Sequence, residues 1–280
     1  MDYIVSAFYK FFPLPDYADR KTDLLRLLES ESIRGSILLA AEGINGTVSG
    51  SERAIEHLHR VLEAIPGGNP LSRKISRHTV QPFGRAKVRL KKELISLGET
   101  AEPARRVGRY VSPAEWNALI VRDDVITIDA RNHYETHVGK FKHAVDPETR
   151  NFSQLPTFSR QTLDPVRTPR VATYCTGGIR CEKYTAWLLD QGFEEVYHLE
   201  GGILNYMAQM PEQESLFEGA CYVFDERVAV RPGLHGLTAD LSITTCTACG
   251  AALTERDRAH PAYRAGCHCA HCDGPLPSNA

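Results

Sequence analysis

The strongest constraint on the fold is the segment 170–191, which reads RVATYCTGGIRCEKYTAWLLDQ. Its first residues are apolar and β-branched, as in a buried strand, and its last residues have the composition of a helix. Only a short loop with Gly177 and Gly178 separates the two. A strand, a tight glycine loop and a helix in this order are typical of a parallel α/β sheet. They place Cys175 at the carboxyl end of a strand, where open α/β folds carry their ligand sites.

The loop from residue 175 to residue 180 favours an anion. Its two glycines let successive backbone N–H groups point inward as an anion-binding nest, and the following helix adds the positive end of its dipole. Both features stabilise a thiolate, so Cys175 is predicted to be nucleophilic rather than an inert buried thiol. Arg180 closes the loop, where it either holds the loop by hydrogen bonds or meets an anionic group directly. The candidate catalytic residues are Cys175 and Arg180, and the candidate nest residues are Thr176, Gly177, Gly178 and Ile179.

The length of this loop separates sulfur chemistry from phosphate chemistry. Its pattern is C-x4-R, whereas cysteine-dependent phosphatases use a loop one residue longer, which surrounds a tetrahedral phosphate. The shorter ring suits a single sulfur atom. Cys181 opens the following helix, where it either packs in the core or forms a reversible bond with Cys175.

The first 98 residues predict a ferredoxin-like, acylphosphatase-like domain. Ser51 can cap an amphipathic helix whose apolar residues recur at three- and four-residue spacing. A turn is expected at GINGT, residues 43–47. The predicted elements are a strand at 3–12, a helix at 18–31, a strand at 36–42, a short strand at 47–50, a helix from 51 and a strand at 74–81. This β-α-β-β-α-β order is that of a split βαβ unit.

The rest of the chain divides into a linker, a second domain and a C-terminal extension. Residues 99–112 have the composition of a linker, and Ser112 and Pro113 then begin a helix. Strands and helices alternate at 113–218, which predicts a parallel α/β domain. Residues 219–280 form an extension whose last forty residues lack a long apolar pattern. The expected fold class is therefore a multidomain chain of α/β and α+β parts.

A run of positive charge without acidic residues extends from residue 73 to residue 92, although the whole chain has a net charge of −2. Uncompensated positive charge attracts a polyanion such as RNA, while a solvated strand face is the common alternative. Alternation in KVRLKK puts Lys87, Arg89 and Lys91 on one side of a strand. The candidate RNA-binding residues are Arg73, Lys74, Arg77, Arg85, Lys87, Arg89, Lys91 and Lys92.

Four cysteines near the C-terminus have the spacing of a zinc site. Two CxxC pairs, separated by nineteen residues, lie within the usual range for a tetrahedral set of thiolates. Zinc bound there would be structural, because it replaces a core that this segment does not build. A metal-free tail is the alternative, and Cys267, His268 and His271 compete as ligands. The candidate ligands are Cys246, Cys249, Cys269 and Cys272.

The sequence predicts neither a leader nor a membrane span. The N-terminal residues MDYIVSAFYKFF lack a basic region followed by a long apolar run. No stretch approaches the ~18 apolar residues that a bilayer requires. We therefore expect a soluble cytoplasmic protein. In that compartment its eight cysteines are expected to be reduced, and hence catalytic or metal-binding.

Two sets of motifs resemble known families. The loop at 175–180, together with the Asp-x-Arg-x-x-x-Glu element of Asp129, Arg131 and Glu135, resembles the rhodanese (sulfurtransferase-like) domain over residues 113–215. In such domains the loop cysteine can carry a persulfide. The segments AEGINGTVSG, YCTGGIRCEKY, CYVFDERVAV and the terminal CxxC pair resemble, in that order, the bacterial rhodanese-related tRNA uridine hydroxylases.

The second resemblance implies an oxidoreductase of the monooxygenase type. It implies oxygen-dependent hydroxylation at carbon 5 of the wobble uridine in tRNA, giving 5-hydroxyuridine, with Cys175 required for activity. The implied partner is the anticodon loop of tRNA, and molecular oxygen is the co-substrate. The sequence shows no flavin or nicotinamide fingerprint and no histidine–carboxylate iron triad at short spacing. His133 and His137 flank Glu135, but this segment belongs to the structural Asp-x-Arg element.

Three chemical interpretations stay open at this point. In a hydroxylase, the Cys175 thiolate attacks carbon 6 of the uracil and activates carbon 5. A sulfurtransferase would use Cys175 and Arg180 to pass persulfide sulfur to tRNA or to a carrier protein, and it would produce thiocyanate from thiosulfate and cyanide. A non-catalytic RNA-binding scaffold would use the basic strand and the zinc segment, and modification would stay normal after Cys175→Ser.

Overall fold

The computed structural model describes residues 2–168, 170–233 and 236–272, in three parts that pack against one another. A five-stranded N-terminal sheet is followed by a four-stranded parallel sheet and then by small sheets of two or three strands. The expected fold class is confirmed, with α+β structure at the N-terminus and α/β structure after it. Within these ranges, no helix is both long enough and apolar enough to cross a bilayer.

The N-terminal part packs two helices and a sheet around one core. Its elements are β1 (Tyr3–Phe11), α1 (Arg20–Ser30), β2 (Arg34–Ala40), β3 (Gly43–Gly50), α2 (Glu52–Glu63), β4 (Ser72–His78) and β5 (Ala86–Leu90). The strand order is β4-β1-β3-β2-β5, antiparallel except between β2 and β5. Leu28 and Leu58 of the helices share a core with Phe8, Ile37 and Val48 of the sheet. The first four strands form the predicted ferredoxin-like unit, and β5 extends it.

The turn predicted at residues 43–47 is wrong, because these residues begin β3. The chain turns just before them, at residues 41–42. A Cβ atom on Gly43 would lie 2.0 Å from the carbonyl oxygen of Lys10, and the φ angle of Gly43 is 135°. Glycine is needed here because a neighbouring strand approaches its backbone closely, and the same residue type suggested a turn when read without that neighbour.

The second part is a parallel sheet with its strands in the order β6-β10-β9-β7, numbered along the chain. Its elements are β6 (Arg109–Val111), α3 (Pro113–Ile120), β7 (Ile126–Asp129), α4 (His133–Thr136), β8 (Gly139–Phe141), a 3-10 helix (Phe152–Gln154), α5 (Leu155–Thr162), β9 (Arg170–Tyr174), α6 (Ile179–Asp190), β10 (Glu195–Leu199) and α7 (Gly202–Gln209). Strand β9 lies inside the sheet, so the loop after it opens at the middle of the sheet edge.

The linker predicted at residues 99–112 is shorter in the structure, because residues 109–111 form β6. The backbone N–H of Gly108 donates to Thr185 Oγ1 at 3.0 Å, and a Cβ atom on Gly108 would lie 2.8 Å from the carbonyl oxygen of Val196. The chain therefore lies close to Val196 and Thr185 at Gly108, and β6 begins at the next residue. A three-residue strand is too short to show a period in the sequence.

The C-terminal extension bridges the other two parts. Its elements are a 3-10 helix (Glu212–Glu214), β11 (Phe217–Gly219), β12 (Cys221–Tyr222), β13 (Ala229–Gly233), β14 (Gly236–Ala239), β15 (Thr244–Thr245), β16 (Ala252–Leu253) and α8 (Glu255–Arg258). Strand β11 pairs with β8 of the parallel part. Arg227, which forms an ion pair with Asp225, donates from Nη1 to Ser76 Oγ of β4 at 2.9 Å. The extension therefore closes one side of the space between the two sheets.

Candidate active site

Cys175 lies directly after β9 and is only 1% exposed. Its Sγ accepts a hydrogen bond from the backbone N–H of Gly178 at 3.1 Å. Gly178 has a φ angle of 105°, a region that glycine adopts readily and other residues rarely do. On the other side, the N–H of Ile203, in the first turn of α7, donates to the carbonyl oxygen of Cys175 at 2.9 Å. The first turns of α6 and α7 therefore frame the loop.

The surroundings of Cys175 lower its pKa. Burial raises this pKa, but a hydrogen bond from the Cys181 thiol, the charge of Arg180 and the N–H groups of Cys181 and Gly178 outweigh it. The pKa of Cys175 falls from 9.0 to about 6. Burial and the adjacent Cys175 sulfur raise the pKa of Cys181 well above its ordinary value, so Cys181 remains a protonated donor. The structure thus pairs one thiolate with one thiol.

We expect Cys175 to react as a thiolate at neutral pH. The thiolate fraction rises with pH through the pKa, so the rate of alkylation by iodoacetamide should reach half of its maximum at about pH 6 and level off about one pH unit higher. Timed quenching and peptide mass spectrometry measure this rate at each pH. Cys181→Ala removes the hydrogen-bond donor and should move the midpoint to higher pH. Cys221→Ala is the matched control, because burial raises the pKa of that thiol to about 12.

Arg180 holds the loop by hydrogen bonds. Its Nη1 and Nη2 donate to the two carboxylate oxygens of Glu135 at 2.5 and 2.7 Å, and Nη2 also donates to Thr176 Oγ1 at 3.2 Å. Both side chains of the ion pair are buried. Of the two roles that the sequence left open, these contacts favour holding the loop. The positive charge nevertheless acts on the Cys175 sulfur and lowers its pKa, after the effects of burial and of the Cys181 hydrogen bond.

The other members of the Asp-x-Arg-x-x-x-Glu element have structural contacts. Arg131 donates from Nε and Nη2 to Asp129 at 2.9 and 2.6 Å, and both side chains are fully buried. Nη2 of Arg131 also donates to the carbonyl oxygen of Gly139 at 2.7 Å. This network fixes the end of β7 to the start of β8. Glu135 alone reaches the cysteine loop.

A cavity of about 750 Å³ opens onto this loop. All three parts of the protein line it, with Tyr9 from the N-terminal sheet, Cys175 and Arg180 from the loop, and Phe224 from the extension. Of the predicted nest residues, Thr176, Gly177 and Ile179 also line it, while Gly178 holds the sulfur. The volume lies in the range of small-molecule sites. The cavity onto which Cys175 opens is therefore formed jointly by all three parts.

The eight predicted RNA-binding residues separate into two groups. Four of them line the cavity with Cys175, and burial lowers the pKa of one of these, Lys74. Arg77 instead pairs with Glu52 at 2.8 Å. The cavity residues are Arg73, Lys74, Lys87 and Arg89. The residues outside its lining are Arg77, Arg85, Lys91 and Lys92.

A buried cation, which no motif in the sequence indicates, joins the N-terminal sheet to α6. The side chain of Lys183 is 2% exposed, and its Nζ donates to both carboxylate oxygens of Glu42 at 2.9 Å and to Glu93 at 2.7 Å. Glu42 also accepts from the N–H of Leu94 at 2.6 Å. Glu42 belongs to the AEGINGT segment, so this motif docks the N-terminal part onto the helix that follows Cys175. The available signal in the sequence was a lysine in a helix that is expected to pack in the core, because a lysine is almost never fully buried unless it is paired.

A second missed contact brings a hydroxyl group to the cavity. Tyr9 of β1 and Tyr110 of β6 both donate to Glu182 Oε1, at 2.8 and 2.7 Å. Burial raises the pKa of Glu182. Tyr9 lines the cavity, and a Cβ atom on Gly178 would lie 2.7 Å from its hydroxyl oxygen. Tyr9 therefore connects the cavity beside the cysteine loop to a buried carboxyl group.

A cluster of three aromatic side chains lies on the side of the cavity that the C-terminal extension forms. Phe224 is 57% exposed although it is apolar, and Tyr134 is 37% exposed. The ring of Tyr222 stands edge-on to both, with centroid distances of 5.4 Å to Tyr134 and 5.3 Å to Phe224. The guanidinium carbon of Arg180 lies 5.9 Å from the centroid of Phe224. Exposed aromatic rings beside cations are typical of surfaces on which unpaired bases stack.

The structure brings together the four predicted zinc ligands. Their sulfur atoms all lie within 4.8 Å of one another, and three of the separations are 3.9, 3.6 and 3.8 Å. Zn–S bonds of about 2.3 Å in a tetrahedron place sulfur atoms about 3.8 Å apart. The members of this cluster are Cys246, Cys249, Cys269 and Cys272.

Comparison with known proteins agrees with this architecture. Residues 3–94 match the family model described as UPF0176 acylphosphatase like domain, and residues 112–209 match the rhodanese-like domain. The tRNA uridine(34) hydroxylase of Teredinibacter turnerae is 48% identical over 97% of this chain and 84% of its own length. The protein of the same name from a Picosynechococcus species is 44% identical over 97% of this chain and 90% of its own length. These matches confirm the resemblance drawn from the motifs, and the chain belongs to the family of the tRNA uridine(34) hydroxylases.

Proposed function

We propose that this protein hydroxylates carbon 5 of the wobble uridine of tRNA, with molecular oxygen as co-substrate and Cys175 as the residue that attacks the base. The observation that carries the proposal is a buried cysteine with a pKa of about 6 at a cavity shared with four basic side chains. Relatives that match almost the whole chain are tRNA uridine(34) hydroxylases, which supports hydroxylation and the position of the base.

The charge around the cavity suits a tRNA. The four cavity residues Arg73, Lys74, Lys87 and Arg89 can bind phosphates without reading sequence. Arg85, Lys91 and Lys92 add to the positive potential that attracts a polyanion, whereas Arg77 is paired with Glu52. The wobble base lies in the anticodon loop and is already unpaired, so its transfer into a pocket costs little free energy. We propose a cytoplasmic location because that is where this substrate is found.

The chemistry follows from the position of the thiolate. Addition of Cys175 Sγ to carbon 6 of the uracil moves the electrons of the C5–C6 double bond toward carbon 5. Carbon 5 thereby becomes the electron-rich position to which one atom of O2 is added, while the other atom is reduced to water by a two-electron reductant. Loss of the carbon-5 proton and departure of the Cys175 thiolate from carbon 6 then restore the C5–C6 double bond. The ion pair of Arg180 with Glu135 keeps the loop in shape during attack. The Tyr9 hydroxyl donates to Glu182, and burial raises the pKa of Tyr9, so Tyr9 stays a protonated group in the cavity wall.

Nucleoside mass spectrometry of tRNA tests the proposed function. Deleting the gene in a strain without a paralogue should remove 5-hydroxyuridine and its derivatives, and the wild-type gene should restore them under air but not under strict anaerobiosis. Unchanged 5-hydroxyuridine after deletion would refute the assignment. Thiocyanate formation from thiosulfate and cyanide, with no effect on 5-hydroxyuridine, would instead identify a sulfurtransferase. Binding of tRNA without either activity would identify a scaffold.

Phe224→Ala is expected to weaken tRNA binding because the exposed ring of Phe224 offers a stacking surface beside Arg180. Stacking of one base contributes about 1–3 kcal/mol, so the Kd should rise about 5- to 100-fold. Filter binding with an anticodon stem-loop measures this, and Phe224→Trp should retain the affinity. Leu241→Ala is the matched control, because Leu241 is exposed in the same extension but does not line the cavity. Equal Kd values for Phe224→Ala and the wild type would contradict the stacking role.

We also propose that the four terminal cysteines bind structural zinc. The support is the near-tetrahedral spacing of their sulfur atoms and the few buried apolar residues around them. Four thiolates leave no open coordination position, so this zinc takes no part in the reaction. Its role is to hold β15, β16 and α8 in place of a larger core.

A further inference from the structure

A second group of metal-ligating side chains shares no residue with the four cysteines, although His271 lies between two of them in the sequence. His137 follows α4, Asp257 belongs to α8, and His271 lies near the end of the described residues. One ligand atom from each comes within 4.8 Å of the others. We propose that these three side chains bind a divalent transition-metal cation, which fastens the C-terminal extension to the parallel domain.

The distances in this group fit coordination to one ion. Asp257 Oδ1 lies 3.0 Å from Nε2 of His137 and 2.9 Å from Nε2 of His271. Nitrogen and oxygen ligands about 2.1 Å from a metal are about 3.0 Å apart in an octahedron and about 3.4 Å apart in a tetrahedron. An ion therefore fits between the three atoms after small movements of the two rings, whose centroids are 4.6 Å apart.

The donor atoms select the class of ion. Two imidazole nitrogens and one carboxylate oxygen suit zinc, iron, cobalt or nickel, whereas calcium and magnesium prefer oxygen ligands alone. The side chains of His137 and His271 are 29% and 33% exposed, so an ion can reach them from solvent. This set leaves coordination positions open, unlike the four-thiolate cluster.

The carboxylate of Asp257 is held in place before any ion binds. Its Oδ2 accepts hydrogen bonds from the N–H and the hydroxyl of Thr254 at 2.7 and 2.6 Å. The other oxygen, Oδ1, faces both histidine rings, and Oδ2 also lies 2.8 Å from Nε2 of His137. Such outer hydrogen bonds orient a metal-ligating carboxylate. Without a metal, both rings must place a proton on Nε2 to share this one carboxylate, and that hydrogen-bonded clamp is the alternative to the metal.

The position of His137 connects this group to the cysteine loop. Glu135, two residues earlier, forms the ion pair with Arg180. A metal on His137 would therefore fix the end of α4 to the extension, and α4 in turn carries the partner of Arg180. The ligands come from both sides of the contact, since His137 and Asp257 lie 120 positions apart in the chain.

Metal content of the purified full-length protein tests the proposal. The protein is saturated with Co²⁺ or Zn²⁺, desalted and analysed by inductively coupled plasma mass spectrometry. We expect two metal ions per chain in the wild type and one in His137→Asn, whose Kd for the second ion should rise at least about 100-fold, because even the loss of an outer partner typically costs 10–100-fold. His133→Asn is the matched control, because His133 begins the short helix that His137 follows and pairs with Asp146 instead of Asp257.

The cobalt spectrum separates the two sites. Charge-transfer bands from cobalt–thiolate bonds report the four-cysteine cluster, and they should be unchanged in His137→Asn and His133→Asn, which shows that both variants are folded. His137 is the decisive position, because His271 lies between two of the cysteine ligands. One ion per chain in the saturated wild type, or two ions in His137→Asn, would overturn the proposal in favour of a hydrogen-bonded clamp. This readout does not depend on activity toward tRNA.

Discussion

Cys175→Ser is expected to abolish the formation of 5-hydroxyuridine, with a loss of at least about 1000-fold in the single-turnover rate. Serine keeps a similar size and can still accept the hydrogen bond from the N–H of Gly178. Its hydroxyl group remains protonated at neutral pH, however, whereas the pKa of Cys175 is about 6. The variant therefore loses the nucleophile and keeps the shape of the site. The measurement is nucleoside mass spectrometry of tRNA incubated with excess enzyme under air.

The matched control for this loss is Cys221→Ser. Burial raises the pKa of the Cys221 thiol to about 12, and Cys221 does not line the cavity, so this variant should keep its activity. Cys175→Ser should also bind tRNA as tightly as the wild type, because the four basic cavity residues are unchanged. A covalent adduct between Cys175 and the tRNA would support attack on carbon 6. Full activity in Cys175→Ser would refute the proposed attack of Cys175 on carbon 6.

The parts of the site that could be predicted from the sequence are formed by residues that lie close to one another in the chain. The strand, the two glycines and the helix around Cys175 are consecutive, and each pattern fits within about twenty residues. The CxxC pairs likewise carry their own spacing, and their sulfur atoms come together in the structure. Local patterns were sufficient in both cases, because short turns bring neighbouring residues together whatever the rest of the chain does.

The parts that could not be predicted depend on how the three parts dock. Lys183 meets Glu42 across 141 positions, and Tyr9 meets Glu182 across 173 positions. No periodicity records such a pairing, because it depends on which faces of two separately folded sheets meet. The same limit applied to the basic run, where docking brings only half of the residues to the cavity. The same limit applied to the group of His137, Asp257 and His271, whose members do not form a short motif in the sequence.

Glu135→Gln is expected to destabilise the protein strongly. The side chains of Glu135 and Arg180 are 0% and 6% exposed, and the substitution leaves the Arg180 guanidinium buried without its counter-charge. Removing one partner of a buried ion pair typically costs about 3–5 kcal/mol of unfolding free energy. Thermal unfolding at pH 7 should therefore show a clearly lower Tm. Glu99→Gln is the matched control, because it removes a partly exposed partner of Arg160 at 2.8 Å and should change the Tm little.

The same ion pair links stability to the reactivity of the cysteine. In Glu135→Gln the charge of Arg180 acts on Cys175 without a neutralising carboxylate, so the alkylation midpoint of Cys175 should move below pH 6 in the protein that remains folded. In the double variant Glu135→Leu with Arg180→Met, an apolar pair replaces the ions and most of the Tm should return. The midpoint should then move above 6, because the positive charge is gone. If Glu135→Gln is as stable as Glu99→Gln and leaves the midpoint unchanged, the ion pair neither holds the loop nor tunes the thiolate.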